Sequence, residues 1–160
     1  MYEYVKFIHV ASAFAFILAH GASGAVALGL RRERDPIRVA ALLDLSRAAL
    51  GPVTWIAALV MLLSGVLLGF QGDWWGRWWI WLSIVTLVVL MGAMTPMGAI
   101  RLNRIREALG IQVDRKRQAP VAATPSELAA LLERWDPRPL TGVGLGGLLV
   151  IIALMTLKPF

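Results

Sequence analysis

A chain of 160 residues in which 58% are hydrophobic and only 16% charged, with a mean hydropathy of +0.69, is too apolar for an ordinary globular domain, where about half the residues are apolar and about a quarter charged. The net charge of +6 is distributed as lipid contact requires, and no nucleic-acid partner is implied. The absence of cysteine excludes disulfides, thiolate metal sites and cysteine nucleophiles, and leaves the redox compartment open.

Four runs contain no Asp, Glu, Lys or Arg: 7–30, 48–71, 78–100 and 140–157. Each reaches or approaches the roughly 20 residues that a helix needs to cross a hydrocarbon core about 30 Å thick. The expected fold is all-α: an integral membrane four-helix bundle with short amphipathic cytoplasmic helices, in one transmembrane domain over 1–160. Its spans are expected at 5–30, 50–70, 78–100 and 140–157, with connecting segments at 31–49 and 101–139.

The leader of the first span sets Glu3 against Lys6 and lacks the positive n-region of a cleaved signal peptide, and its apolar run is too long for one, so the segment is expected to be retained. Its second half, HGASGAVALG, is rich in small residues. Beyond it, Asp35-Pro36 reads as an N-cap followed by proline at N1. The helix begun there is amphipathic and is expected at the inner interface. Gly51-Pro52 marks a bend or helix restart. In the second span, Gly65 and Gly69 have the four-residue spacing that permits close helix approach.

The turn GDWWGRWWIW holds five of the seven tryptophans. It reads as an aromatic belt at the outer interface, or alternatively as a lid of indoles over a cofactor or pigment. The third span ends in MGAMTPMGAI, where Pro96 is expected to kink the helix. Residues 101–109 should continue helically to Gly110, and 111–123 reads as an irregular basic loop. Thr124-Pro-Ser-Glu127 is a capping box that starts a short cytoplasmic helix, ended by Asp136-Pro-Arg-Pro139. The fourth span opens with Gly142, Gly144, Gly146 and Gly147.

Thirteen of the 16 basic residues fall in the two connecting segments, while Lys6, Arg77 and Lys158 lie on the other side. Because basic residues collect on the cytoplasmic side, both termini and the 71–77 turn are expected outside the cytoplasm. Anionic headgroups then account for the basic segments.

The only histidines, His9 and His20, both lie in the first span. They differ by about 20° around the helix axis and by about 16 Å along it. They share a face with Ser12, Ala13, Phe16 and Gly24, opposite Ile8, Phe14 and Leu18, so both rings should point into the bundle. An ionisable residue inside a membrane is a functional-site hypothesis by default; the alternative is an interhelical hydrogen bond to Ser, Thr or a carbonyl. Counted inward at 1.5 Å per residue, His20 from Tyr4 and Met91 and Met94 from Trp78 reach matching depths of about 20–24 Å. Imidazole and thioether are axial ligands of haem iron, and Met also suits Cu(I). The candidate cofactor ligands are therefore His9, His20 and Met94, and the candidate metal ligands His9, His20, Met91 and Met94. For Met91, Met94 and Met97 the alternative is flexible packing. No catalytic residue is identified, and the reading leans away from an enzyme. No span holds a carboxylate for a proton relay, and GVGLGG opens a span instead of following a strand, so it is no dinucleotide fingerprint.

Lys6-x-x-His9, a basic, partly helical loop leading to Pro52-x-x-Trp55 and Ser64-Gly65, and a last span ending Leu154-Met155-Thr-Leu-Lys158-Pro159 together carry a resemblance. The chain resembles, over nearly its whole length, a family of small bacterial four-helix membrane proteins known as predicted integral membrane proteins of unknown function. This implies a multi-pass protein of the bacterial cytoplasmic (inner) membrane. More distantly, the first span resembles the copper-resistance-D-type proteins and the haem-dependent membrane protoporphyrinogen oxidases. In the latter, histidines of the first and third spans ligate haem. His9 matches the first position, whereas the third span here offers Thr86, Met91 and Met94 and no histidine. Two functions are expected. One is a non-catalytic accessory or assembly subunit, packed by glycine-rich faces against a larger membrane complex or against itself. The other is a small haem b- or copper-binding membrane protein with a redox or metal-handling role.

Overall fold

The structure, a computed structural model, describes residues 1–114 and 118–159, the side chains of 48–50 apart. Arg115, Lys116 and Arg117 of the expected basic loop lie outside the described residues. Those described form helices and no strand: α1 Tyr2–Leu30, α2 Pro36–Asp44, α3 Gly51–Gln71, α4 Trp78–Met94, α5 Arg101–Ala108, α6 Pro125–Glu133 and α7 Arg138–Leu157. Two π-helical segments, Leu45–Leu50 and Thr95–Ile100, join α2 to α3 and α4 to α5. Four continuous stretches are thus long and apolar enough to cross a membrane: Tyr2–Leu30, Pro36–Gln71, Trp78–Ala108 and Arg138–Leu157. Large apolar side chains such as Phe14, Leu18, Leu63, Val88 and Leu149 are exposed along them, on a scale that only lipid or a partner can cover.

Both proline positions lie in or beside a π-helical segment. No helix restarts at Gly51-Pro52: the backbone N–H of Gly51 donates to Ser46 O, five residues back, and the helix runs on. Pro96 likewise sits in the first turn of a π-helical segment that continues into α5. Proline lacks the N–H for an α-helical bond, and its ring crowds the carbonyl four residues back.

α1 packs along α3 and α4 along α7, with α1 also touching α7. Phe16, Ala57, Leu90 and Leu148 meet in the middle of the bundle. At the basic end, α2, α5 and α6 build a small apolar cap over the end of α1. Val39 and Leu43 of α2 are fully buried there with Leu30, Ile105, Leu132 and Trp135. The apolar stripe of α2 is therefore covered by protein, where an interfacial helix would have laid it in lipid. Trp135 Nε1 donates to Ala27 O at 2.9 Å, and the buried Arg106 donates from Nη2 to Leu43 O at 3.1 Å.

Local signals in the connecting segments are realised as read. Asp35 Oδ1 accepts from Ile37 N at 3.0 Å and starts α2, and the Thr124–Glu127 capping box starts α6. After α5, Gly110 takes φ +74°, and the N–H of Ile111 returns to Arg106 O at 2.9 Å. This left-handed ending closes the helix with glycine where a Cβ would be strained. At the other end, Trp78 and Trp81 are exposed as a belt requires, but Trp79 is buried. Trp74 packs at a tilt against Trp79, and Lys158 Nζ lies 4.3 Å above the Trp74 ring. The tryptophan turn is thus partly a belt and partly a clamp on the end of α7.

Candidate functional site

The helices of this bundle meet where glycines leave room. A Cβ placed on Gly65 of α3 would lie 3.0 Å from His9 Cε1, and one on Gly144 of α7 would lie 2.7 Å from His20 Nε2. Each imidazole of α1 is therefore seated against a glycine of a different neighbouring helix. Gly69 receives Trp75, and Gly147 receives Leu90, in the same manner. The four-residue glycine pair of α3 serves packing within the chain and is not available to another one.

His9 is held by polar contacts. Its Nδ1 lies 2.9 Å from Met61 O and 3.2 Å from Ser64 Oγ. A carbonyl can only accept, so Nδ1 carries the proton and donates to Met61 O. Ser64 Oγ donates its own hydrogen bond to Val60 O at 2.6 Å. This is the interhelical hydrogen bond weighed as the alternative to a functional role, and it leaves the lone pair of a neutral ring on Nε2.

His20 is held differently. Its ring stacks on Phe16 one turn earlier, with centroids 5.7 Å apart and planes 18° from parallel. No nitrogen of His20 has a hydrogen-bond partner among the described residues. What meets it is Met94 of α4: the Cβ position on Gly144 that lies 2.7 Å from His20 Nε2 is also 3.3 Å from Met94 Sδ. These distances bound the nitrogen–sulfur separation at about 6 Å. One turn toward the basic end, Thr141 Oγ1 is buried and unpartnered among the described residues, and Thr141 Cγ2 packs 3.8 Å from the Cβ position on Gly24. The α1/α7/α4 seam thus gathers an imidazole, a thioether and a hydroxyl, none of them with a hydrogen bond.

The structure accordingly separates the sequence candidates. His20 and Met94 both lie beside Gly144, His9 faces α3, and Met91, like Met94, packs against the mid-bundle cluster of Phe16 and Leu90. Among the described residues, no three of His, Cys, Asp or Glu are grouped as a metal would need. The apolar cleft between α1 and α3, about 410 Å³, is lined by residues such as Phe7, Ala11, Val53 and Val60 and by no histidine, while the His20 ring is closed in by Gly144 and Phe16. Gly144 and Thr141 were missed by sequence reasoning as parts of the site. The small residues of 142–147 were visible, but nothing local distinguishes an inward glycine from an outward one.

Comparison with curated proteins and with solved structures gives no match. The four apolar helices, the uncovered aliphatic surface and the basic segments gathered at one end agree with a match over residues 3–159 to the family described as predicted integral membrane protein (DUF2269). The chain belongs to that family of integral membrane proteins.

Proposed function

We propose that the protein is a non-catalytic accessory or assembly subunit of the bacterial cytoplasmic membrane, docking on another membrane chain or a second copy through the outer face of α7. One observation carries this. Gly144 and Gly147 of α7 are filled by the chain's own side chains, but Gly142 and Gly146 are exposed with open space at their Cβ positions. Glycine in a helix costs about 1 kcal/mol relative to alanine. The inward pair has a packing reason within the chain, whereas the outward pair, four residues apart and flanked by the exposed Leu145, Leu149 and Val150, has the form of a groove for a second helix.

A second reading rests on His20 and Met94: a soft-metal site that holds Cu(I) between imidazole and thioether, with a metal-handling role. Both ligand types suit that ion. The convergence at Gly144 supports copper over haem.

Native mass spectrometry of protein extracted in mild detergent tests both. The subunit reading expects a stoichiometric protein partner or a dimer that is lost in a Gly142→Leu/Gly146→Leu variant. The copper reading expects bound copper that is lost in Met94→Leu. A lone, metal-free chain would overturn both.

A further inference from the structure

The basic end of the bundle carries a cavity of about 610 Å³ lined by Leu28, Gly29, Arg31, Arg32, Arg34 and Arg138. It forms where α1 runs into the 31–35 turn and meets the start of α7, so one continuous stretch, 28–34, and the sequence-distant Arg138 build one site. Four of its six lining residues are arginines, and none is acidic.

The neighbouring carboxylates are already engaged. Glu33 accepts from the backbone N–H groups of Arg34 and Asp35 at 2.9 and 3.0 Å and pairs with Arg38 at 3.9 Å. Asp35 caps α2 and pairs with Arg38 Nε at 3.6 Å. Asp136 takes Arg31 at 3.4 Å and the backbone N–H of Arg138 at 3.2 Å. Arg34 Nη1 is anchored on the carbonyls of Arg31 and Glu33, each at 2.8 Å. That leaves Arg32 and Arg138 with no acidic partner among the described residues. Two guanidiniums are thus positioned by the fold, and two are left to meet a ligand.

Guanidinium forks match phosphate oxygens in a bidentate way. The other side of the cavity is apolar: Leu28 is 40% exposed in the last turn of a membrane-spanning helix. A ligand that fits must carry a phosphate next to hydrocarbon, and it must lie at the depth where the apolar helix gives way to arginine. We propose that this cavity is a binding site for the phosphate of an anionic phospholipid headgroup, with Arg32 and Arg138 as its principal ligands and Leu28 against the lipid's glycerol and acyl portion.

The full-length protein, stripped of lipid in detergent, is titrated with phosphatidylglycerol, with phosphatidylcholine and with inorganic phosphate, and adducts are read by native mass spectrometry. One phosphatidylglycerol per chain is expected, bound in preference to phosphatidylcholine and displaced by excess inorganic phosphate. Arg32→Gln/Arg138→Gln should weaken it by about fivefold for each guanidinium removed, and Arg32→Lys/Arg138→Lys by less, since charge is kept and the fork is lost. The control pair Arg101→Gln/Arg104→Gln, outside the cavity, removes the same formal charge and should weaken binding clearly less than the cavity pair, since no guanidinium that meets the phosphate is lost. Retained helicity and elution volume in each variant show that the fold is intact. Equal losses in both glutamine pairs would overturn the site in favour of diffuse charge. Binding of inorganic phosphate without preference between the two lipids would reassign the cavity to a soluble anion and overturn the lipid assignment.

Discussion

Gly144 and Gly142 are two residues apart on α7, yet a side chain added to each meets a different world. A Cβ at Gly144 would stand 2.7 Å from His20 Nε2 and 3.0 Å from Met94 Cε, whereas at Gly142 nothing lies within 4 Å. Overpacking a filled site costs about 1–3 kcal/mol, while alanine in place of an unobstructed helical glycine gains up to about 1 kcal/mol. Gly144→Ala is therefore expected to lower the thermal midpoint in detergent and Gly142→Ala to leave it unchanged or raise it. The same comparison explains His9. Its hydrogen bond to Met61 O and its seat on Gly65 give it a packing role that needs no ligand, whereas His20 is seated on Gly144 and stacked on Phe16 with no hydrogen bond among the described residues.

At the scale of elements, two short helices of the basic end, α2 and α6, start at caps that depend on carboxylates. Both the backbone N–H and the hydroxyl of Thr124 donate to Glu127 Oε2, each at 2.8 Å, and these bonds hold the Glu127 carboxyl below the usual range for glutamate. Since the folded-state value is depressed, the unfolded chain binds more protons as pH falls through this range. The contribution of the cap is present above the unfolded value and is lost as pH drops through the lower folded one. Fraying of α6 at acid pH, followed by hydrogen exchange of 125–133, is expected in the native protein. Glu127→Gln should remove that pH dependence. The caps at Asp35 and Thr124 were legible because a cap is built from residues within three positions of one another. The burial of α2 against α5 and α6 was not, because an amphipathic stripe states that something apolar covers it and leaves open whether that cover is lipid or protein.

For the molecule as a whole, Arg106 reaching Leu43 O, Trp135 reaching Ala27 O and Arg31 pairing with Asp136 tie both connecting segments to one end of the bundle, while Lys158 rests on Trp74 at the other. The positive-inside rule predicts that the basic end faces the cytoplasm, and single cysteines placed in this cysteine-free chain test that orientation. Asp73→Cys should react with a membrane-impermeant maleimide in intact cells, and Ser126→Cys only after the membrane is opened. The reverse pattern would place the arginine cavity outside the cytoplasm.

What the sequence by itself determined is the solvent, the number of spans and the end at which the charges gather. Transfer of apolar residues to hydrocarbon sums over each stretch of about 20 residues whatever its neighbours are, so the spans 7–30 and 140–157 are decided locally. Only the tertiary structure decided that Gly144 faces inward and Gly142 outward, that His20 meets Met94 while His9 meets Met61, and that Arg138 closes a cavity with Arg31, Arg32 and Arg34. Lipid tails are as apolar as leucine, so no hydrophobic contrast orients these helices about their axes. Their rotation and register are set by which knob fits which glycine, a property of pairs of helices that no single stretch of sequence contains.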